Sequence, residues 1–544
     1  MIDTDPGTPA ATTPTTEPPT PVKRADRRPA AVLAVLLAVA VPIIVTSRAA
    51  DPWFIGDDWG LLVGRSMTRP GDWFRPQNGH WSTVPLLVYH GLYSVVGLRH
   101  YWVFRAAVAL IHVAIVVLTW HLVRRLVSSP WLALLTVMPL ILMGAAPTNL
   151  VSPIQVSQSG SIAFGLAMLL LVDHDGRLDR RDGAAVGLGL LSLASSGMGP
   201  IIVLVVGMFA LLRRGVRVAA VLMSILMGTY VLWWKVAGGA SATGSELDPV
   251  MMLRWIYQGM TATFSLPTQH SLSGLALAGI IVAGMVRLVL TRGWPTFRGT
   301  DGLLPALIAG ALLNFAAVST QRWFLGPDYA RADRYVYVAV VLLLPVMAVA
   351  FQQLAGSRWW LAVLLALPLL LGMPPNVARL FREPTFQFQS VETLFTGAVA
   401  DPLATQVSPD LVLKPDTFTG REVTIGWLLA AKRENKLPPP PTLSQEQRDE
   451  IDMRLSISRQ TIEPTPTTSC EERTGPARLD LRRGDVVRVA QSVTLAEVVD
   501  GQPGTAVPYQ IDALFSPADH LVVEVPSITV DVDVPGDTPF TICR

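Results

Sequence analysis

The residues of this chain best equipped for chemistry in water fall in one short stretch. Gly56-Asp57-Asp58-Trp59 is followed by Asn78-Gly79-His80-Trp81, with Pro85 just beyond. A carboxylate near low dielectric is raised in pKa unless it is paired or hydrogen-bonded, and one tuned in that way serves as a proton acceptor. The flanking Trp53, Phe54 and Trp59 belong at a membrane surface rather than in open water. Adjacent side chains point in different directions, so Asp57 and Asp58 are not expected to act on the same atom. The bland alternative is a pair of solvated acidic residues beside a structural histidine.

A second polar cluster lies some 270 residues later, in Gln321-Arg322-Trp323-Phe324 and Asp328-Tyr329-Ala330-Arg331-Ala332-Asp333-Arg334-Tyr335. If a helix has begun by Ala330, Arg331 and Arg334 stand three apart and share a face. Guanidinium groups bind phosphate through a planar fork of donors, so this cluster reads as an anion site. Its bland reading is internal Arg–Asp pairing that holds the loop, and the two are compatible because an aspartate can orient an arginine.

The elements that must position these groups are almost entirely hydrocarbon. Of 544 residues, 51% are hydrophobic and 15% charged, and the mean hydropathy is +0.43. Soluble proteins carry about 25% charged residues, so the composition is that of a polytopic α-helical membrane protein. The net charge of +2 points to no nucleic acid and to no other strongly charged partner. Apolar runs at 30–45, 101–123, 129–146, 156–172, 184–198, 200–212, 216–234, 271–290, 302–319, 335–354 and 358–373 make about eleven spans, of which 184–198 and 200–212 are short enough to be one broken feature. Residues 1–22 have the composition of a disordered tail. Lys23, Arg24, Arg27 and Arg28 precede an uncleaved first helix, although a signal peptide has the same order of features.

With the N-terminus cytoplasmic, Arg124-Arg125, Arg177, Arg180, Arg181, Arg213, Arg214, Arg217, Arg287, Arg292, Arg298 and Arg358 all fall in inner connections, as the positive-inside rule requires. The loop 47–100 and everything after about 374 are then outside. Counting the apolar stretch 82–98 as a span would invert this, so it is expected to lie along the outer interface with Tyr89 and Tyr93 at headgroup depth. Met251 to Ile256 suggests another interfacial helix, and Trp233-Trp234 an aromatic belt. Within the spans, Arg105 is close enough to the outer end to snorkel. His112, Asn149, Gln155, Gln158 and Asn314 are expected to bond neighbouring helices.

Residues 23–373 are thus a transmembrane domain and 374–544 an external soluble α+β domain. Helices are expected over 424–436 and 443–458, and the domain is β-rich from about 467. Strands are expected over 485–490 and 521–534, where Ile528, Val530, Val532 and Val534 alternate with Thr529, Asp531 and Asp533. Cys470 and Cys543 bracket the β region. No other cysteine stands near either one, which argues against a metal site built on cysteine. In an external compartment they are expected to form a disulfide, worth about 4 kcal/mol in the chain-entropy account.

The order of these features resembles the GT-C superfamily of integral-membrane glycosyltransferases, which includes protein O-mannosyltransferases and aminoarabinose transferases. The residues that carry the resemblance are Asp57-Asp58, His80-Trp81 with Pro85, Arg105 and His112 in the second span, and Arg334-Tyr335-Val336-Tyr337 opening a late one. It covers about residues 24–373. It implies transfer of a sugar from a polyprenyl-phosphate donor to a glycan, lipid or protein acceptor at the outer face of the cell membrane. Asp57 or Asp58 would be the base, with the other orienting the acceptor or a divalent metal. Arg331 and Arg334 would hold the donor phosphate, beside Tyr335 and assisted by Arg322 and His80. The cofactor is unknown from the residues, and a divalent metal is left open. A transporter or lipid flippase is the alternative from another class, but it would carry ionisable groups near the midplane of several helices, whereas here they gather at the outer rim. A non-catalytic member that anchors the outer domain for envelope binding is a third reading.

Overall fold

The computed structural model describes residues 27–47, 53–54, 56–238, 248–382, 389–413, 423–460, 469–489, 492–509, 520–534 and 538–544. The expected tail 1–22, Lys23 and Arg24 lie outside these residues. The chain is a polytopic helical membrane protein with a C-terminal region rich in β-structure. Its membrane part begins with α1 (Arg28–Val45), then α2 (Thr83–Val96), α3 (Tyr101–Leu126), α4 (Pro130–Ile141), α5 (Val156–Val172), α6 (Arg180–Leu193) and α7 (Gly199–Arg214). It continues through α8 (Val216–Ala237), α9 (Pro249–Thr268), α10 (Ser271–Arg292), α11 (Leu303–Arg322), α12 (Asp333–Ala355) and α13 (Trp359–Arg379).

All eleven apolar runs form helix, but among the described residues only eight helices are long and apolar enough to cross a membrane. The runs that fall short are α4, α6 and α7, of 12, 14 and 16 residues. At 1.5 Å per residue these reach about 18–24 Å, less than the ~30 Å hydrocarbon core. Helix α12 is the axis of the bundle: every residue from Tyr335 to Phe351 is buried. Helix α13 runs past the proposed domain boundary and through Pro374-Pro375. The Asn376 side-chain amide donates to the Gly372 carbonyl at 2.7 Å and to that of Pro267 at 2.8 Å, which ties α13 to the end of α9.

The two ends of the bundle differ in chemistry. At one end Arg125 and Arg213 pair with Asp173, Arg214 with Asp182, and Arg292 with Asp301. The loop 53–98 and the C-terminal region gather at the other. There Trp59 meets Phe395 and Trp427, with ring centroids 5.3 and 6.2 Å apart. Tyr93 stacks on Trp427, and the Leu98 amide donates to the Lys436 carbonyl at 2.7 Å. Trp53, Phe54, Trp59, Leu61 and Leu62 thus share one hydrophobic core with Val391, Phe395, Leu428 and the inward faces of the strands.

Helix α2 is the expected helix over 82–98, and both its tyrosines pack against protein, Tyr93 on the Trp427 ring. Tyr89 is fully buried and its hydroxyl donates to Asp58, because a carboxylate enclosed by this aromatic core needs a donor. Arg105 reaches the end of α1. Its guanidinium bonds the carbonyls of Ile44 and Ser47 at 3.1 and 2.7 Å, and so satisfies the C-terminal end of α1. His112 bonds the Tyr337 hydroxyl at 2.7 Å and the Ile141 carbonyl at 3.2 Å, joining α3 to α12 and α4.

The C-terminal region opens with α14 (Gln389–Ala398), α15 (Ile425–Arg433) and α16 (Gln445–Ser456). Thr424 caps α15, and Ser444 with Gln447 forms a capping box on α16. Among the described residues nine strands follow: β1 (Ile457–Gln460), β2 (Cys470–Thr474), β3 (Ala477–Arg482), β4 (Val486–Val489), β5 (Val493–Val499), β6 (Gln502–Tyr509), β7 (His520–Val523), β8 (Ser527–Asp533) and β9 (Pro539–Cys543). They form an antiparallel sheet of order β1-β7-β4-β9-β2 and another of order β3-β8-β5-β6. The expected strand over 521–534 is two strands in different sheets, separated at Pro526, which has no amide hydrogen for a ladder. Alternate burial along β8 is as expected. Cys470 and Cys543 are direct partners across β2 and β9 and are disulfide-bonded.

Candidate functional site

A cavity of about 460 Å³ opens where the ends of α5, α7, α8, α11 and α12 meet the loop 56–85. The Asn78-Gly79 dipeptide builds one wall. Asn78 and Gly79 have φ of 49° and 77°, and the Gln77 and His80 backbones exchange hydrogen bonds at 2.9 Å. This is a two-residue hairpin turn of the kind Asn-Gly favours. The Asn-Gly pair is a local signal legible in the sequence. The hairpin swings the Asn78 amide onto Asp57 Oδ1 at 2.8 Å and turns His80 into the cavity. Oδ2 of Asp57 accepts no hydrogen bond among the described residues.

Two further residues set this wall without having been anticipated. The Arg65 guanidinium donates to the carbonyls of Asp72, Arg75 and Pro76 and to the Gln77 side chain at 2.8–3.3 Å. It is buried and clamps the segment that leads into the hairpin. Gly197, in the turn between α6 and α7, lies flat against the His80 imidazole: a Cβ there would come within 2.6 Å of Nδ1 and Cε1.

The opposite wall carries the cations. Arg322, at the end of α11, lines the cavity and makes no hydrogen bond or ion pair among the described residues. Arg334 lines it too, and is held tightly. Its guanidinium donates to the Tyr329 hydroxyl at 2.6 Å and lies over the Tyr329 and Tyr335 rings at 5.6 and 5.1 Å. Gln158 Nε2 bonds the Arg334 carbonyl at 2.6 Å, fixing the first turn of α12. Burial, followed by the charge of Arg322, pushes the pKa of His80 below its usual value, with Asp57 pulling the other way. The imidazole is therefore a neutral hydrogen-bonding group near pH 7.

Of the residues expected at the site, Asp57, His80, Arg322, Arg334 and Tyr335 line this one cavity. Asp58 does not. The short 3₁₀ turn Gly56–Asp58 sends successive side chains in different directions, and Asp58 is 1% exposed beside Tyr89. Arg331 is exposed and absent from the lining. Helix α12 starts at Asp333 rather than by Ala330, and extended backbone at Ala332 puts Arg331 in a separate 3₁₀ turn. The shared face expected for Arg331 and Arg334 does not form. Tyr329, Gln155 and Gln158 were not foreseen as site elements, because their placement depends on contacts between helices far apart in sequence. Among the described residues, Asp57 and Asp58 belong to no group of three His, Cys, Asp or Glu side chains close enough to share a metal ion.

The cavity is polar at the Asp57, His80 and Arg334 end and apolar at the other. Leu204, Leu313 and Trp234 line it, and all three are among the exposed large hydrophobic residues. The apolar wall is therefore continuous with the outer surface of the bundle.

No protein-family model matches this chain, and no curated protein matches it. Among solved structures it is similar to the crystal structure of ArnT from Cupriavidus metallidurans bound to undecaprenyl phosphate, at 16% sequence identity over 76% of this chain and 90% of that one, with a TM-score of 0.43.

Proposed function

We propose that this chain is a membrane glycosyltransferase that moves a sugar from a polyprenyl-phosphate donor to an envelope acceptor at the outer face. The observation that carries this reading is the single cavity that joins one carboxylate and two arginines to an apolar wall open to the bundle surface. A sugar linked through phosphate to a long hydrocarbon has this same division of polarity. The arginine-rich turns at the far end of the bundle support the outward orientation of the cavity.

An acceptor hydroxyl oxygen attacks the anomeric carbon. Its proton passes to Asp57, whose Oδ2 is the oxygen left open by the Asn78 amide. The bond from the anomeric carbon to the phosphate oxygen breaks, and the electron pair leaves with the lipid phosphate. A phosphate departs as a stable anion and needs cations rather than a general acid, so Arg334 and Arg322 suffice where a glycosidase needs a second carboxyl group. His80, neutral, bonds a sugar or acceptor hydroxyl. Asp58, bound to Tyr89 in the aromatic core, supports the loop.

The test is transfer from a labelled polyprenyl-phosphate sugar. Asp57→Asn is expected to lower the rate by about 10²–10⁴-fold, the usual worth of a general base, with normal expression. Asp58→Asn can keep the Tyr89 hydrogen bond through its carbonyl oxygen and is expected to retain far more activity. Wild-type transfer by Asp57→Asn removes the proposed base.

A further inference from the structure

At the arginine-rich end of the bundle, the turn from α5 into α6 builds a second site, unrelated to the cavity. We propose that His174, Asp179 and Asp182 bind a divalent transition-metal ion of the zinc class. The three ligand atoms lie within 4.8 Å of one another.

The hydrogen-bonding state of His174 carries the argument. Its Nδ1 is 3.1 Å from the Asp175 carbonyl oxygen. A carbonyl can only accept, so Nδ1 bears the proton and Nε2 of the neutral ring presents a bare lone pair. Nε2 is buried without a hydrogen-bond partner, in a side chain that is 9% exposed. It faces Asp179 Oδ1 at 3.7 Å and Asp182 Oδ2 at 3.5 Å. A lone pair aimed at two carboxylates is repulsive unless a cation lies between them.

Two cations could fill the gap, a proton on His174 or a metal ion, and the distances separate them. A charge-assisted N–H···O bond closes to about 2.7–2.9 Å. Metal–ligand bonds of about 2.0–2.2 Å at tetrahedral angles hold ligand atoms about 3.4 Å apart. The two nitrogen–oxygen spacings, 3.5 and 3.7 Å, are too long for the first case and close to the second. A backbone carbonyl receiving the other ring N–H is also the usual device for orienting a metal-bound histidine. One nitrogen with two carboxylate oxygens is the ligand set that suits zinc and its neighbours, with water completing the shell.

The cationic surroundings do not cancel the site. Arg125 and Arg213 are paired with Asp173, and Arg213 also with Asp175. Arg214 grips Asp182, whose Oδ2 also accepts the Asp179 amide at 2.9 Å. Those donors orient the carboxylate in the way an outer layer of hydrogen bonds does. Arg177, Arg180 and Arg181 are exposed. A bound ion would tie His174, in the turn, to the first residues of α6.

The test uses the full chain in detergent, stripped with a chelator and titrated with Zn²⁺, then with Co²⁺ for its absorption spectrum. One ion per chain is expected at micromolar concentration. His174→Gln and Asp179→Asn are each expected to weaken binding at least about ten-fold, since even residues behind a ligand are worth that much. Asp57→Asn is expected to bind as wild type, which keeps this result separate from the fate of the glycosyltransferase reading. Failure to bind Zn²⁺, or undiminished binding by both His174→Gln and Asp179→Asn, would overturn the proposal and assign the gap to a protonated histidine.

Discussion

Removing the Arg334 guanidinium tests the phosphate half of the proposed site most directly. The group is fixed before any substrate arrives, by two ring faces at 5.1 and 5.6 Å, a tyrosine hydroxyl at 2.6 Å and a glutamine on its own carbonyl. A hydrogen bond to a charged group contributes about 1.5–3 kcal/mol, and a fork that makes two to a departing phosphate contributes about twice that. At 1.36 kcal/mol per decade, Arg334→Ala should cost about 10²–10⁴-fold in kcat/KM. Charge builds on the phosphate as the bond breaks, so much of the loss should fall on kcat. Arg334→Lys keeps the charge and gives up the fork and part of the ring contact, each ring being worth about 0.5–1 kcal/mol. It should fall between. Tyr329→Phe removes only a hydroxyl and should cost about 2–10-fold, the range for a neutral hydrogen bond. The assay is single-turnover transfer from a short-chain polyprenyl-phosphate sugar, with thermal unfolding as a control for folding. Unchanged kcat/KM in Arg334→Ala, or a larger loss in Tyr329→Phe than in Arg334→Ala, would refute the assignment.

Three other outcomes are expected. Gly197→Ala should drive the His80 ring back by about 0.8 Å, the difference between an ordinary ~3.4 Å contact and the 2.6 Å a Cβ would make; a shift near 1 Å costs about 10²-fold in rate, and an unaltered rate would remove His80 from the site. His80 has a lowered pKa in the folded chain, so the unfolded chain binds more protons and stability declines as pH falls below about 6.5; thermal melts of His80→Gln between pH 7 and 5 should show a shallower decline. Asp452 is raised to about 7 by burial, by its hydrogen bond with Asp401 and by the charges of Asp401, Glu497 and Asp449. Here the folded chain binds the extra proton, so stability falls as pH rises from about 4 to about 7, and Asp452→Asn should melt above wild type at pH 8 with the gap closing towards pH 5.

Sequence patterns that depend on the chain's immediate neighbourhood were readable, and those that depend on direction were not. Each apolar run became a helix, yet α4, α6 and α7 are too short to span, because proline and glycine punctuation cuts them below the needed length. Asp57, His80, Arg322 and Arg334 were identifiable as polar groups stranded at one rim of a hydrocarbon bundle. Asp58 and Arg331 carry the same chemistry one and three residues away, but a 3₁₀ turn and an extended residue aim them elsewhere. Arg65, Tyr329 and Gly197 act through contacts that no local pattern encodes. The Asn78-Gly79 turn is the exception, a local signal whose consequence was legible and was missed.

The shared core of the loop and the C-terminal region also sets a timetable. Ser94 and its partner Lys436 are 342 residues apart, and Trp59 waits as long for Phe395 and Trp427. At roughly 5–20 residues per second of synthesis, the loop is made about 20–70 s before the surface that will cover it exists. During that interval Trp59 lacks the Phe395 and Trp427 rings that it packs against. The core shared by the loop and the C-terminal region is thus completed last, after α1 to α13 have been made, although every residue lining the cavity precedes α14.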